Sequence, residues 1–250
     1  MKVLDLFSGI GGFSYGLEST GGFETVAFAE CEPYPIAVLK KHWPTVRVYE
    51  DVRQITATRL FRDGIEPDVI TGGFPCQDIS TAGQQAGIEG ERSGLWSECA
   101  RILGEVRPRY AIFENVTNLL SGNKGKWFER VLWDISKVGY DAEWHCISAS
   151  SIGAPHKRDR VWIVAYPCSA RSSIRLSRSF QWKERDTRKP FNSHHQHGRW
   201  PPKNHWTVEP SMGRVANGIP RRVAKLKALG NSIVPQIAYL IGQEILNYEE

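Results

Sequence analysis

Six residues, Gly72-Gly73-Phe74-Pro75-Cys76-Gln77, hold a thiol in a setting that suits nucleophilic chemistry. They follow Asp68-Val69-Ile70-Thr71, a short apolar, β-branched run that reads as a buried strand, so Cys76 falls in the loop past that strand's carboxyl end. Open α/β sheets place their chemistry there. Two glycines and a proline fix a turn that exposes the thiol, and the polar Gln77 and Asp78 do not suit core packing. Lone cysteines are commonly inert buried residues, so the role of Cys76 depends on what else the chain supplies.

It supplies carboxylates at successive strand ends. Val3 to Phe7 is an apolar run broken by Asp5; it leads into Ser8-Gly9-Ile10-Gly11-Gly12-Phe13 and a helical stretch from Ser14 to Ser19, which is strand, glycine loop, helix. Glycines 9, 11 and 12 let the backbone approach a ligand, and amides at the helix start favour an electronegative group. The spacing is not Gly-x-Gly-x-x-Gly, which disfavours a pyrophosphate-binding dinucleotide site. A second strand, Thr25 to Ala29, ends in Glu30-Cys31-Glu32, an acid about twenty residues past the loop that suits ribose hydroxyls. After a helix over 35–42, a third strand, Val46 to Tyr49, ends in Glu50-Asp51, where Asp51 suits the exocyclic amine of an adenine. Tyr110-Ala111-Ile112-Phe113 reads as another strand, terminated by Glu114-Asn115-Val116.

The elements between and after these are a long polar loop over 80–92, helices over 95–106 and 126–138, and strands over 140–148 and 160–165. Residues 221–229 and 233–246 read as helices separated by Gly230-Asn231-Ser232. The texture changes from Pro167 to about Asn217, where Ser, Arg, His, Pro and Trp dominate without periodicity.

At 250 residues and 41% hydrophobic the chain can bury a large core. No apolar run reaches membrane-spanning length, which leads us to expect a soluble, cytoplasmic protein with no membrane partner. Five scattered cysteines form neither a disulfide framework nor a zinc ribbon, and His194, His195, His197 and His205 match no zinc spacing, so no metal is expected. The net charge of +5 conceals an asymmetry. Residues 157–227 carry 17 Lys and Arg against 4 Asp and Glu, and the remainder is net acidic. A basic block on an acidic body points to a polyanion, nucleic acid first.

Taken in order, Asp5-Leu6-Phe7-Ser8-Gly9-Ile10-Gly11-Gly12, Gly73-Phe74-Pro75-Cys76-Gln77, Glu114-Asn115-Val116, Arg158-Asp159-Arg160 and Gly230-Asn231-Ser232 closely resemble the motifs of DNA (cytosine-5)-methyltransferases. The resemblance covers residues 1–165 and 228–250. It implies an α/β, Rossmann-like catalytic domain over those residues and a small basic target-recognition domain over 166–227. It implies Cys76 as the nucleophile that adds to cytosine C6, Glu114 as the acid at N3, and Arg158 and Arg160 as partners of the base's carbonyl oxygen and of nearby groups. It implies S-adenosylmethionine as cofactor, over Phe7, Gly9, Ile10 and Gly12, with Glu30 on the ribose and Asp51 on the adenine amine. Cys31, Val52, Pro75, Leu95 and Asn231 complete that pocket. The partner it implies is double-stranded DNA with the target base flipped out, and the loop over 80–92 would close on that base.

The resemblance has departures. His156 stands where the family usually has glutamine; the segment ahead of the final motif is replaced by Gly213 to Arg222; and the insert is small. We read the replaced segment as a shortened variant of the kind seen in compact bacterial or phage enzymes; the default expectation is a monomer in a bacterial cell or infected host, with a cognate restriction endonuclease as a further partner. Two rival readings stand beside this one. The family branch that methylates transfer RNA shows Pro-Pro-Cys, against which Phe74 argues; a vestigial DNA-binding protein would have no use for the intact Cys76, Glu114 and Arg160.

Overall fold

The computed structural model describes residues 1–75, 95–154, 156–170 and 222–249. Within them the strands are β1 Lys2–Leu6, β2 Glu24–Ala29, β3 Arg47–Tyr49, β4 Val69–Gly72, β5 Tyr110–Val116, β6 Tyr140–Ser148 and β7 Asp159–Pro167. The helices are α1 Gly12–Glu18, α2 Pro33–His42, α3 Ala57–Arg62, α4 Trp96–Val106, α5 Asn118–Ser121, α6 Lys126–Lys137, α7 Arg222–Asn231 and α8 Pro235–Glu249. One mixed sheet runs in the order β3-β2-β1-β4-β5-β7-β6. The pairs from β3 to β5 are parallel, whereas β7 runs antiparallel to both β5 and β6. The expected Rossmann-like α/β architecture is therefore present.

Central parallel strands are covered on both faces, and their sequences answer that demand. Val3, Leu4 and Leu6 of β1 and Ala111, Ile112 and Phe113 of β5 have no exposed surface. On one face Phe13 and Leu17 of α1 pack with Ile237, Ile241 and Ile245 of α8; on the other lie Trp96, Ile102 and Leu103 of α4 with Val131 and Ile135 of α6. Phe128, Val131 and Ile135 recur at helical spacing, which is why α6 presents one apolar stripe. The close approach of α1 to α8 depends on Gly16, where a Cβ would stand 2.2 Å from the Pro235 carbonyl oxygen.

Two of the boundaries that differ from the sequence reading bear on the site. Strand β5 does not stop at Phe113; it continues to Val116 because β7 supplies a ladder beyond the last β4 pairing, Gly72 with Phe113. Glu114 therefore lies inside a strand, opposite Trp162 of β7, at the level where β4 has already left the sheet. Helix α7 runs through Gly230 to Asn231, so Asn231 ends a helix instead of sitting in a break; the link to α8 is only residues 232–234. The basic segment between Arg171 and Arg221, Cys76 and the loop over 80–92 lie outside the described residues.

Candidate active site

The site forms where β1 and β4 end together, beside the stretch of β5 that runs on to Val116. Beyond β1 the chain turns sharply: Phe7, Gly9 and Gly11 all have positive φ, at 52°, 54° and 84°. A Cβ on Gly9 would touch nothing within 4 Å, so the space above this turn is open to a ligand. Glu30 closes the turn from β2. Its Oε2 accepts the Gly9 N–H at 2.7 Å and its Oε1 accepts the Glu32 N–H at 2.8 Å. Each carboxylate oxygen keeps a second lone pair for ribose hydroxyls.

Asp51 follows β3 one strand further out. Its carboxylate accepts from the Arg53 backbone N–H at 3.0 Å and from the Arg53 guanidinium at 2.9–3.2 Å. Those donors hold its pKa below the usual carboxylate range. The acid expected to meet an adenine amine is thus already oriented by a neighbouring cation. Val52 is buried, while Phe7 and Leu95 pack half-buried against the cluster that contains it. Cys31 is exposed beside Glu30 and Glu32; desolvation and then those two charges push its thiol pKa up, so it offers a neutral side chain. Ile10 and Pro75 are half-buried, Gly12 is buried, and Asn231 is exposed at the end of α7. An open glycine turn flanked by acids on adjacent strands fits a cationic, nucleoside-bearing ligand such as S-adenosylmethionine.

The second half of the site lies across β5 and β7. Strand alternation puts Glu114 on the face of Ile112 and Arg160 on the face of Trp162, and both residues belong to the same core cluster. The Arg160 Nε lies 2.9 Å from Glu114 Oε1. Glu114 is only 8% exposed, and its pKa is raised from 4.5 to about 6. Desolvation raises it, and the charges of Arg160 and Arg158 only partly offset that. A carboxyl group that titrates near neutrality can hold or give a proton at working pH. Its Oε2 faces Gly73, where a Cβ would lie 3.6 Å away, so the acid borders the turn that leads to Cys76.

Arg158 does something else. Its Nη1 donates to the Gly230 carbonyl and its Nη2 to the Ser232 carbonyl, each at 2.9 Å, and desolvation lowers its pKa. The structure therefore separates the two arginines: Arg160 pairs the acid, and Arg158 holds the end of α7.

Three residues that sequence reasoning gave no role support this arrangement. Asp5, fully buried in β1, accepts Ser14 Oγ–H at 2.8 Å and Thr71 Oγ1–H at 2.7 Å, tying β1, α1 and β4 together. Burial pushes its pKa up to about 7. Asn115, also fully buried, donates to the Phe74 carbonyl at 3.3 Å and accepts the Val116 N–H at 2.8 Å, so it steadies the turn before Cys76. Ile233 fills the gap between the two glycine turns. A charge inside an apolar strand was a visible signal for Asp5; Ile233 carried none.

A family model of C-5 cytosine-specific DNA methylases matches residues 1–212. The chain belongs to that family. Among curated proteins, the Type II methyltransferase M2.BsuMI of Bacillus subtilis is 37% identical to this chain over 169 residues, covering 66% of this chain and 42% of that protein. The Type II methyltransferase M.NgoFVII of Neisseria gonorrhoeae is 31% identical over 230 residues, which is 91% of this chain and 56% of that protein. The chain thus spans about half the length of the curated relatives it matches. The S. pombe Dnmt2 methyltransferase shares the fold with a TM-score of 0.54 at 23% identity, over 67% of this chain and 51% of that one. Among the described residues of this chain no helix is long and apolar enough to cross a membrane, and no cluster of three potential metal ligands occurs.

Proposed function

We propose that this methylase transfers a methyl group from S-adenosylmethionine to C5 of a cytosine flipped out of double-stranded DNA, through a covalent bond between Cys76 and C6. The observation that carries the reading is the buried Glu114–Arg160 pair beside the Gly73 turn.

Cytosine C5 is a poor nucleophile, so a thiolate must first add to C6 and place an electron pair at C5. Protonation at N3 makes that addition favourable. Glu114, with a pKa of about 6, is an acid suited to share a proton with N3, and Arg160 orients its carboxyl through Nε. Bound S-adenosylmethionine supplies an electrophilic methyl group. Phe7, Gly9, Ile10, Gly12, Cys31, Val52, Pro75, Leu95 and Asn231 would line its pocket, with Glu30 on the ribose and Asp51 on the adenine. After transfer, loss of the C5 proton to a base and expulsion of the Cys76 thiolate yield 5-methylcytosine. A base stacked in a duplex cannot meet a thiol at C6, which is why methyltransferases flip it. The lysines and arginines of residues 166–227 would supply phosphate affinity as a target-recognition domain.

Transfer of labelled methyl from S-adenosylmethionine to mixed-sequence DNA and to transfer RNA, by wild type, C76A and E114Q, tests this. Label in DNA that requires Cys76 supports the proposal. Label confined to RNA moves the substrate, and no label despite DNA binding supports a vestigial protein.

A further inference from the structure

We propose that Arg158 is a positioning residue, which clasps the end of α7 so that Ile233 is wedged between the cofactor turn and the turn that carries Cys76. The proposal rests on the methyltransferase reading and assigns Arg158 a task other than contact with the base. One planar guanidinium spans the carbonyls of Gly230 and Ser232, two of the unsatisfied acceptors that a helix end leaves. Ile233, next in the chain, is buried. Its Cβ lies 2.9 Å and its carbonyl oxygen 3.0 Å from where a Gly12 Cβ would stand, and its Cδ1 lies 3.3 Å from where a Gly73 Cβ would stand. One residue therefore packs against both glycine turns, and a Cβ on Gly12 would collide with it.

The connection has a consequence for the basic segment. Residues 171–221 lead directly into α7, whose Lys227 also meets Glu32 at 2.7 Å, one residue from Cys31. The chain returning from the proposed DNA-binding segment is thus fastened to the body at two places, Glu32 and Arg158. Arg158 fastens it with a fork, which a single lysine ammonium cannot reproduce across two carbonyls.

Because Arg158 also lowers the pKa of Glu114 through its charge, clasp and charge can be separated by substitution. Three readouts suffice: calorimetric affinity for S-adenosylmethionine without DNA, the pH profile of methyl transfer, and hydrogen exchange of the segment 230–237. For R158K we expect a wild-type pH profile, affinity weakened on the order of tenfold, and faster exchange in 230–237. R158Q should show the same losses with the Glu114 ionisation displaced upward. I233V, which removes one methyl group and keeps Arg158, should weaken cofactor affinity without moving the pH profile, and it carries the test should the arginine variants fold poorly. R158K that binds cofactor within about twofold of wild type and leaves exchange unchanged overturns the clasp. A wild type that binds no S-adenosylmethionine refutes the proposed function instead, and the exchange measurement still decides the clasp.

Discussion

Replacing Glu114 by Gln should make the protein more stable at neutral pH, although it breaks an ion pair with Arg160. Glu114 is buried, and the charge of Arg160 at 2.9 Å leaves its pKa at about 6, above the ordinary 4.5. The proton is thus bound more tightly in the folded state than in the unfolded one. Below pH 4.5 both states are protonated and the group costs nothing; as pH rises through 6 the folded state must accept a buried charge. The cost reaches about 2 kcal/mol above pH 7, from about 1.5 units at 1.36 kcal/mol each. Gln resembles the protonated acid in shape, can still accept from Arg160 Nε, and does not ionise. Urea unfolding of both proteins from pH 4.5 to 7.5 should show near equality at the acid end and E114Q ahead by about 2 kcal/mol at the other. A variant that is less stable than wild type by the same amount at every pH would refute the reasoning. Methyl transfer should fall sharply in the same variant, a trade of stability against function.

Asp5 should behave alike on a larger scale. Its pKa is raised to about 7, so its contribution to stability is lost as pH rises from about 4 to 7, and D5N should flatten that dependence by a few kcal/mol in the same titration. G16A should destabilise the fold by about 1–3 kcal/mol in thermal or urea unfolding, because its Cβ would meet the Pro235 oxygen at 2.2 Å and the Ala238 Cβ at 2.8 Å. D51A removes the side-chain cap on the Arg53 N–H and should cost about 1 kcal/mol of stability. The same change should weaken S-adenosylmethionine binding on the order of tenfold by calorimetry. Equal affinity of D51A and wild type would remove Asp51 from the pocket.

Much of the described fold was legible because its elements are short and sharply punctuated. Strand β6 has the bounds read from the sequence, Tyr140–Ser148, and the glycine turn after β1 follows from three glycines with two at positive φ. What local pattern could not show was the effect of neighbours in the sheet. Glu114 looked like a residue past a strand end because its own sequence turns polar there; the pairing with β7, about fifty residues later, keeps it in the ladder. Arg158 and Arg160 sit two apart and look equivalent, yet the partners that separate their roles, Glu114 and the carbonyls of Gly230 and Ser232, come from distant segments. Ile233 is an ordinary apolar residue in sequence, and only the convergence of two glycine turns gives it a task.

The central claim is that Cys76 and Glu114 together move a methyl group to cytosine C5. It is tested most directly by incubating wild type, C76A and E114Q with labelled S-adenosylmethionine and DNA, then hydrolysing the DNA to nucleosides. The account predicts label in 5-methyldeoxycytidine for wild type, none for C76A and a strongly reduced yield for E114Q. Label in 5-methyldeoxycytidine from C76A at the wild-type rate would contradict it.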